Sequence, residues 1–107
     1  MTANPPPTAA LEALADPIRR QIFERLAASP RPVGELAREL PVTRPAVSQH
    51  LKVLKDAGLV ADRAAGTRRV YHVEPAAVEA LRGYFDAFWA QALDTFRITA
   101  EEDPDDR

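Results

Sequence analysis

A short gap between two helical patterns constrains this chain more than any other feature of its sequence. The first pattern covers residues 33–40 and ends at Pro41, because proline cannot continue a helix. The second covers 44–57: Thr43 can accept a backbone N–H at its start, and Pro45 falls in its first turn, where proline is tolerated. Two helices joined by about three residues are typical of a helix-turn-helix, and we predict one here.

Two further helices are predicted before this pair. Apolar residues at helical spacing indicate a short first helix over 8–15. Asp16 can cap a second helix that begins at Pro17, where the missing N–H costs nothing, and the helical spacing continues up to Ser29.

The pattern changes after Gly58, which can adopt the left-handed conformation that ends a helix. Residues 59–60 and 70–73 predict two short strands, with 64–67 as the turn between them. A hairpin placed directly after a helix-turn-helix is called a wing. A proline then opens a long final helix over 75–99.

These elements predict a mainly α fold with a small β-hairpin, namely a winged helix-turn-helix with about five helices and a two-stranded wing over residues 8–99. The Pro-rich segment 1–7 has no periodicity and is expected to be a disordered arm. The acidic tail over 100–107 is expected to be disordered, because it has nothing to bury. A chain of 107 residues is expected to form one domain of marginal stability, for which association is one remedy.

Composition excludes several classes of protein. The sequence contains no cysteine, which rules out disulfides, thiolate metal sites, cysteine nucleophiles and direct thiol redox sensing. No apolar run reaches the roughly 18 residues that span a bilayer, and the first residues lack the pattern of a secretion signal. We therefore expect a cytoplasmic protein without a membrane partner.

Charge is distributed unevenly along the chain. The net charge is −2, yet residues 44–72 contain six basic and two acidic residues, a balance of +4. The other 78 residues sum to −6, and five of their acidic residues lie in the last seven positions. Such a distribution favours a polyanion at one face of the molecule only, although a basic stretch can also be a solvated surface.

The predicted helix over 44–57 has two distinct faces at 100° per residue. Apolar residues and His50 share one arc, and every residue of the other arc except its proline can donate a hydrogen bond. The donor arc has three cations and no anion, whereas an ordinary solvated face usually mixes both signs. This pattern favours a helix that lies in the major groove of double-stranded DNA, where Arg and Lys bind phosphates or guanine and shorter polar side chains read base edges. The donor arc consists of Arg44, Pro45, Ser48, Gln49, Lys52 and Lys55.

The predicted wing supplies a second group of candidate DNA contacts: Arg63, Thr67, Arg68 and Arg69. Guanidinium groups at a hairpin tip suit phosphates and a narrow minor groove. Alternation along a strand places Arg68 and Arg69 on opposite faces. We expect Arg68, which is nearer the turn, to contribute more.

The final helix is the predicted dimer interface. One broad arc of this helix carries four of the seven aromatic residues of the chain, more than a thin monomer core can cover. An isologous two-fold interface would bury these side chains and would also repeat the DNA-reading helix at groove spacing. The residues predicted to form this interface, with two leucines of the first helix, are Leu11, Leu14, Leu81, Phe85, Phe88, Trp89, Ala92 and Phe96.

Segments 14–22, 33–37, 45–54, 57–60 and 66–71 together resemble the arsenic-repressor (ArsR) type of winged helix-turn-helix regulators, most of all its metal-independent branch. The resemblance covers about residues 9–98. It implies a homodimeric bacterial repressor that binds an imperfect palindrome near promoters, often its own. It further implies that Ser48, Gln49 and His50 read bases, supported by Arg44 and Lys52 on phosphates.

The chain also departs from the metal sensors of that type. Those sensors carry Cys-x-Cys in the third helix, where this chain has Glu-Leu-Ala-Arg-Glu at 35–39, or use histidines of the last helix, and 75–99 contains none. With only two histidines, a multi-histidine site cannot form within one subunit, so we expect no metal and no cofactor. A metal-responsive sensor with an intersubunit site at His72 and Glu74 is the remaining metal alternative.

No catalytic residues are predicted. The chain has no Gly-rich phosphate loop, and Ser48 and His50 point about 200° apart on a helix, so they cannot act as a catalytic pair. A winged module for protein contact or for non-specific DNA binding is the alternative to a sequence-specific regulator. An effector is not identified by the sequence: a small organic ligand, a partner protein and control by abundance all stay open.

Overall fold

The computed structural model describes residues 5–102. Over this range the chain forms five helices and three short strands, which confirms the predicted mainly helical winged architecture. The helices are α1 (Pro7–Ala15), α2 (Pro17–Ala28), α3 (Val33–Glu39), α4 (Arg44–Asp56) and α5 (Pro75–Glu102), and the strands are β1 (Arg31–Pro32), β2 (Val60–Ala65) and β3 (Arg68–Val73).

Both predicted helix caps are present. The Asp16 carboxylate accepts the N–H groups of Ile18 and Arg19 at 2.9 and 3.0 Å, and Thr43 Oγ1 accepts the N–H of Ala46 at 3.3 Å. The hydrogen bond from the Arg19 backbone is the main reason that the pKa of Asp16 lies below its usual value. Each cap satisfies a backbone N–H that has no partner inside its helix.

Gly58 ends α4 as predicted. Its φ of +79° is in the left-handed region that favours glycine. Its N–H donates to the carbonyl of Lys55 at 2.9 Å, and the N–H of Leu59 donates to the carbonyl of Leu54 at 3.0 Å. These two hydrogen bonds form a Schellman motif, which turns the chain sharply from α4 into the wing.

The predicted four-residue turn of the hairpin is wrong. Ala64 and Ala65 belong to β2 and pair with Arg69 and Arg68, which leaves a two-residue turn of Gly66 and Thr67. Alanine has a low strand propensity, but the ladder with β3 and the positive φ of Gly66 (+65°) favour the tighter turn.

The sheet has three strands in the order β1-β3-β2, so the prediction of a two-stranded wing missed β1. This strand is only two residues long and contains a proline, which is acceptable at a sheet edge but gives no strand pattern in the sequence. It is held by tertiary contacts: Arg31 forms an ion pair with Glu39 of α3, and Glu39 Oε1 also lies 3.2 Å from Arg25 Nε of α2 in a second ion pair.

The core lies where α1–α4 meet the base of the wing. Its fully buried side chains are leucine, isoleucine and valine from α2, α3, α4, the α4–β2 connection and the start of β2: Ile22, Leu36, Val47, Leu51, Leu54, Leu59 and Val60. Ala77 and Leu81 at the beginning of α5 pack against this core, and α5 contacts α1.

The remainder of α5 extends away from the core. From Arg82 to Glu101 every side chain except Ala92 is exposed, and the molecule measures 67 × 36 × 20 Å. None of the helices between residues 5 and 102 combines the length and the apolar character that crossing a bilayer requires.

The predicted arm and tail fall partly outside the described residues. At the amino end α1 begins at Pro7, and Pro5 lies against Gly58, with Pro5 Cγ 3.3 Å from the position of a Cβ at that glycine. At the carboxyl end α5 continues to Glu102, three residues beyond its predicted end. Residues 1–4 and 103–107 lie outside the range that the structure describes.

Candidate nucleic-acid interface

The polar face of α4 is open to solvent. Its buried side consists of Val47, Leu51 and Leu54, which anchor the helix on α2 and α3. Val53, assigned to the apolar arc, is exposed. All six residues of the predicted donor arc are exposed: Arg44, Pro45, Ser48, Gln49, Lys52 and Lys55.

His50 does not share this face. It is half-buried, whereas Ser48 and Gln49 are exposed on the open face of α4. The structure brings only these two of the three proposed base-reading residues together.

A cleft of about 480 Å³ is lined jointly by α3, the start of α4 and the wing. Four arginines line it: Arg38 of α3, Arg44 of α4, and Arg68 and Arg69 of β3. Arg44 Nη1 lies 4.0 Å from the position of a Cβ at Gly34, so its guanidinium faces α3. The basic surface of α4 is thus continuous with that of the wing.

Arg38 is a candidate site residue that sequence reasoning missed. It is exposed at the carboxyl end of α3, and its charge falls outside the 44–72 stretch that was counted as basic. The geometry of a helix-turn-helix could have pointed to it, because the first helix of that motif crosses the DNA backbone.

Two of the predicted DNA-binding cations are bound to one carboxylate. Lys55 Nζ lies 2.8 Å from Asp62 Oδ1, and Arg69 Nε lies 2.6 Å from Asp62 Oδ2. The hydrogen bond from Lys55, followed by that from Arg69, lowers the pKa of Asp62 below its usual value. The same contact with Asp62 raises the pKa of Lys55, so the carboxylate of Asp62 and the ammonium of Lys55 are both ionised at neutral pH.

The other cations are less constrained. Lys52 Nζ lies 3.1 Å from Asp56 Oδ2, one turn along α4, but both side chains are well exposed and such a pair contributes little. Among the described side chains, Arg44, Arg63 and Arg68 form no ion pair with a carboxylate. Electrostatically, Arg68 is therefore more available to a phosphate than Arg69 is.

The far end of α5 presents an apolar surface to solvent. The Phe88, Trp89 and Phe96 side chains are 51%, 58% and 72% exposed, and Phe85 is exposed beside them. The rings of Phe88 and Trp89 lie edge to face with their centroids 5.7 Å apart. Monomeric proteins rarely expose so many adjacent aromatic side chains.

The other predicted interface residues are placed differently. Leu14 and Leu81 pack against the monomer core, while Leu11 and Ala92 are half-buried. Part of the predicted interface thus belongs to the core of one chain, because α1 and the beginning of α5 pack against each other there.

No group of three or more histidine, aspartate or glutamate side chains within the described range is placed to hold a metal ion. His72 Nε2 and Glu74 Oε1, the pair considered for an intersubunit site, lie 3.8 Å apart.

The chain is similar to known transcriptional regulators. Residues 14–63 match a family model described as a helix-turn-helix domain. The HTH-type transcriptional regulator Rv2034 of Mycobacterium tuberculosis is 58% identical over 100 residues, which cover 94% of each protein. A solved structure of a possible transcriptional regulator for arsenical resistance has 41% identity and a TM-score of 0.70, over 87% of this chain and 95% of its own.

The fold itself is also shared with a more distant protein. An ArsR-like transcriptional regulator from Rhodococcus sp. RHA1 superimposes with a TM-score of 0.81 over 89% of this chain and 90% of its own, at 24% sequence identity.

Proposed function

Because the chain belongs to the ArsR-type winged helix-turn-helix transcriptional regulators, a DNA-binding family, we propose that it is a homodimeric repressor that binds a palindromic operator near promoters, its own among them. The observation that carries this proposal is the exposed face of α4, whose cations and amide are continuous with the arginines of the wing. The proposed activity is binding without a catalytic step, and contact with chromosomal DNA would place the protein in the cytoplasm.

In the proposed complex α4 is the recognition helix, with Ser48 and Gln49 at the base edges. Both side chains are exposed, and a glutamine can form two hydrogen bonds with the N6 and N7 atoms of adenine. Arg44 and Lys52 flank them on the same face and would bind the phosphates on either side. Phosphate contacts set the register of the helix on the duplex, and base contacts supply the specificity.

The wing extends this contact along the DNA. Arg63 and Arg68 are exposed and carry no ion pair among the described side chains, so they are the wing cations best placed for a phosphate or a narrow minor groove. Thr67 lies in the wing turn, and its hydroxyl can donate a hydrogen bond to a phosphate.

Homodimerisation is supported by the exposed aromatic side chains of α5. Each square ångström of apolar surface removed from water contributes about 25 cal/mol, so covering Phe88, Trp89 and Phe96 with a second copy is strongly favourable. A two-fold axis would also place two copies of α4 on half-sites about 34 Å apart, as a palindrome requires. A dimer bound over a promoter blocks access of the polymerase, which is why we propose repression.

The proposal can be tested by selecting, from the host genome, the DNA fragments that bind the purified protein. We expect a shared palindromic sequence, and binding to it should persist in excess random DNA because specific sites are typically at least about 10³-fold tighter. Fragments without a common sequence, displaced equally by any DNA, would favour the non-specific module instead. Absence of binding at low salt would favour a protein-contact module.

Metal independence, as the resemblance implies, gives a further prediction. We expect operator affinity to be the same with a chelator and with added Zn²⁺, because the chain has no cysteine and only two histidines. The measurement is a binding titration under both conditions. A change that disappears in His72→Ala would instead support the intersubunit site.

A further inference from the structure

The carboxylate of Asp62 joins the recognition helix to both strands of the wing. Asp62 lies on β2, its Oδ1 is 2.8 Å from Lys55 Nζ in the last turn of α4, and its Oδ2 is 2.6 Å from Arg69 Nε on β3. One oxygen therefore holds the helix and the other holds the neighbouring strand.

The three side chains differ sharply in burial. The Asp62 side chain is 7% exposed, whereas those of Lys55 and Arg69 are 54% and 59% exposed. A carboxylate removed from water depends on its partners for stability, while each cation could be solvated without it. The exposed pair of Lys52 and Asp56 on the same helix has no such asymmetry.

This asymmetry limits what Lys55 and Arg69 can do on DNA. Both belong to the basic surface, but a phosphate that attracted either one away from Asp62 would leave a nearly buried carboxylate short of a partner. The cluster has a net charge of +1 instead of the +2 that the two cations would offer alone. Its contribution to non-specific phosphate binding is therefore smaller than the count of basic residues suggests.

We propose that Asp62 is a positioning residue that determines specificity: it sets the wing against α4 and withholds Lys55 and Arg69 from non-specific phosphate contacts. The inference rests on the proposed function only in taking DNA as the partner. Sequence discrimination then depends on the wing and the recognition helix moving as one unit, with few cations free to bind any duplex.

The first test is the Asp62→Asn variant with a random-sequence 30-base-pair duplex. Releasing two cations should steepen the slope of log affinity against log salt by about 1 to 2, since each neutralised phosphate contributes about 0.9, and should raise affinity at low salt about fivefold. An unchanged slope would overturn the withholding role. Lys55→Gln should reduce the slope in the Asp62→Asn background but hardly at all in the native chain.

A matched control is Asp56→Asn. This variant removes one negative charge from the same end of α4, but its ion pair with Lys52 is exposed. We expect a change in slope well below that of Asp62→Asn. An equal change would mean that the general loss of negative charge, and not the release of Lys55 and Arg69, explains the effect.

The second test needs no DNA. Hydrogen exchange of the free protein should be at least about fivefold faster at the β2 and β3 amides in Asp62→Asn, while the amides of α2 keep their rates. Unchanged exchange in the wing would overturn the positioning role. If Asp62→Asn does not fold, Arg69→Gln, which keeps Asp62 and Lys55, replaces it in both tests. Arg69→Gln should accelerate hydrogen exchange in the wing and leave the salt slope unchanged. A slope lowered by about 0.9 would instead mean that Arg69 binds a phosphate directly.

These outcomes are separable from the failure of the proposed function. If selection finds no preferred operator, the random-duplex and hydrogen-exchange measurements still decide the role of Asp62. If an operator is found and Asp62→Asn behaves like the native chain in both tests, only the inference about Asp62 is wrong.

Discussion

Two glycines and two side-chain caps determine where α2 and α4 begin, where α4 ends and where the wing turns. Asp16 and Thr43 start α2 and α4 with side-chain hydrogen bonds to backbone N–H groups. Gly58 and Gly66 take positive φ values, at the end of α4 and at the wing turn. The two caps and Gly58 are local effects, which is why the residue types predict them without knowledge of the rest of the fold, whereas the two-residue turn at Gly66 was not predicted.

The glycine of the wing turn gives a prediction about stability. Gly66→Ala should lower the free energy of unfolding by about 1 kcal/mol, because alanine at φ +65° is strained although nothing lies within 4 Å of its Cβ. Gly83→Ala in α5, also in open space but helical, should raise it by about 0.5–1 kcal/mol. Urea unfolding measures the free energy of unfolding of both variants. An equal change in the two variants would contradict the assignment of strain to the alanine at position 66.

Asp62 gives a prediction about pH. Its pKa in the folded protein lies below the ordinary 3.8, chiefly because of the hydrogen bond from Lys55, so its ion pairs stabilise the fold fully above that pH and lose their effect as the pH falls. The stability difference between the native chain and Asp62→Asn should therefore shrink as the pH falls below about 4. Urea unfolding at several pH values measures the difference, and one that stays constant through the acid range would contradict this linkage.

At the scale of elements, α4 and the wing form one basic surface, although one is a helix and the other a β-hairpin with a different side-chain periodicity. The helical pattern of 44–56 buries Val47, Leu51 and Leu54 and exposes the donor arc, while the hairpin brings its arginines beside the start of the helix. The three-stranded sheet and the Asp62 cluster hold the two parts together.

Two neighbours on α4 should have separable effects on binding. Gln49→Ala is expected to reduce the preference for the operator over random DNA by about ten- to a hundredfold, since a lost base contact costs about 1–3 kcal/mol of discrimination. Lys52→Ala should weaken binding to both kinds of DNA alike and lower the salt slope by about 1. Titrations of each variant against both DNAs make the comparison. An unchanged operator preference in Gln49→Ala would remove the base-reading assignment.

At the scale of the whole molecule, α5 is the element that packing within one chain leaves largely uncovered. Its first turns pack on the core, but its outer part exposes Phe85, Phe88, Trp89 and Phe96 along one side. A helix this long and this little supported gains most of its stability from packing against another surface. A second copy is the partner that would also duplicate α4 for a palindromic site.

The aromatic side of α5 predicts the behaviour of a charge substitution. Phe88→Glu should leave the protein monomeric instead of forming the proposed dimer, because it places a carboxylate within the proposed apolar interface. Ala87→Glu adds the same charge one residue earlier, about 100° away around the helix, and should leave the dimer intact. Sedimentation velocity distinguishes the two states, and a dimer that survives Phe88→Glu would move the interface elsewhere.

The sequence alone was sufficient for the elements whose causes are local. The caps, the proline positions, the left-handed Gly58 and the two faces of α4 depend on residues within a few positions of each other, so five helices and a hairpin could be predicted. The candidate DNA face followed from the same periodicity.

Only the tertiary structure decided which side chains meet across elements. The strand at Arg31 depends on its pairing with Tyr71 of β3, and the pairing of Lys55 and Arg69 depends on Asp62. A helical wheel gives the direction of a side chain but not its partner, because ion pairs and strand pairing join residues that are distant in the chain. Sequence periodicity thus identified the basic surface, and three-dimensional contacts determined which of its cations are free to bind.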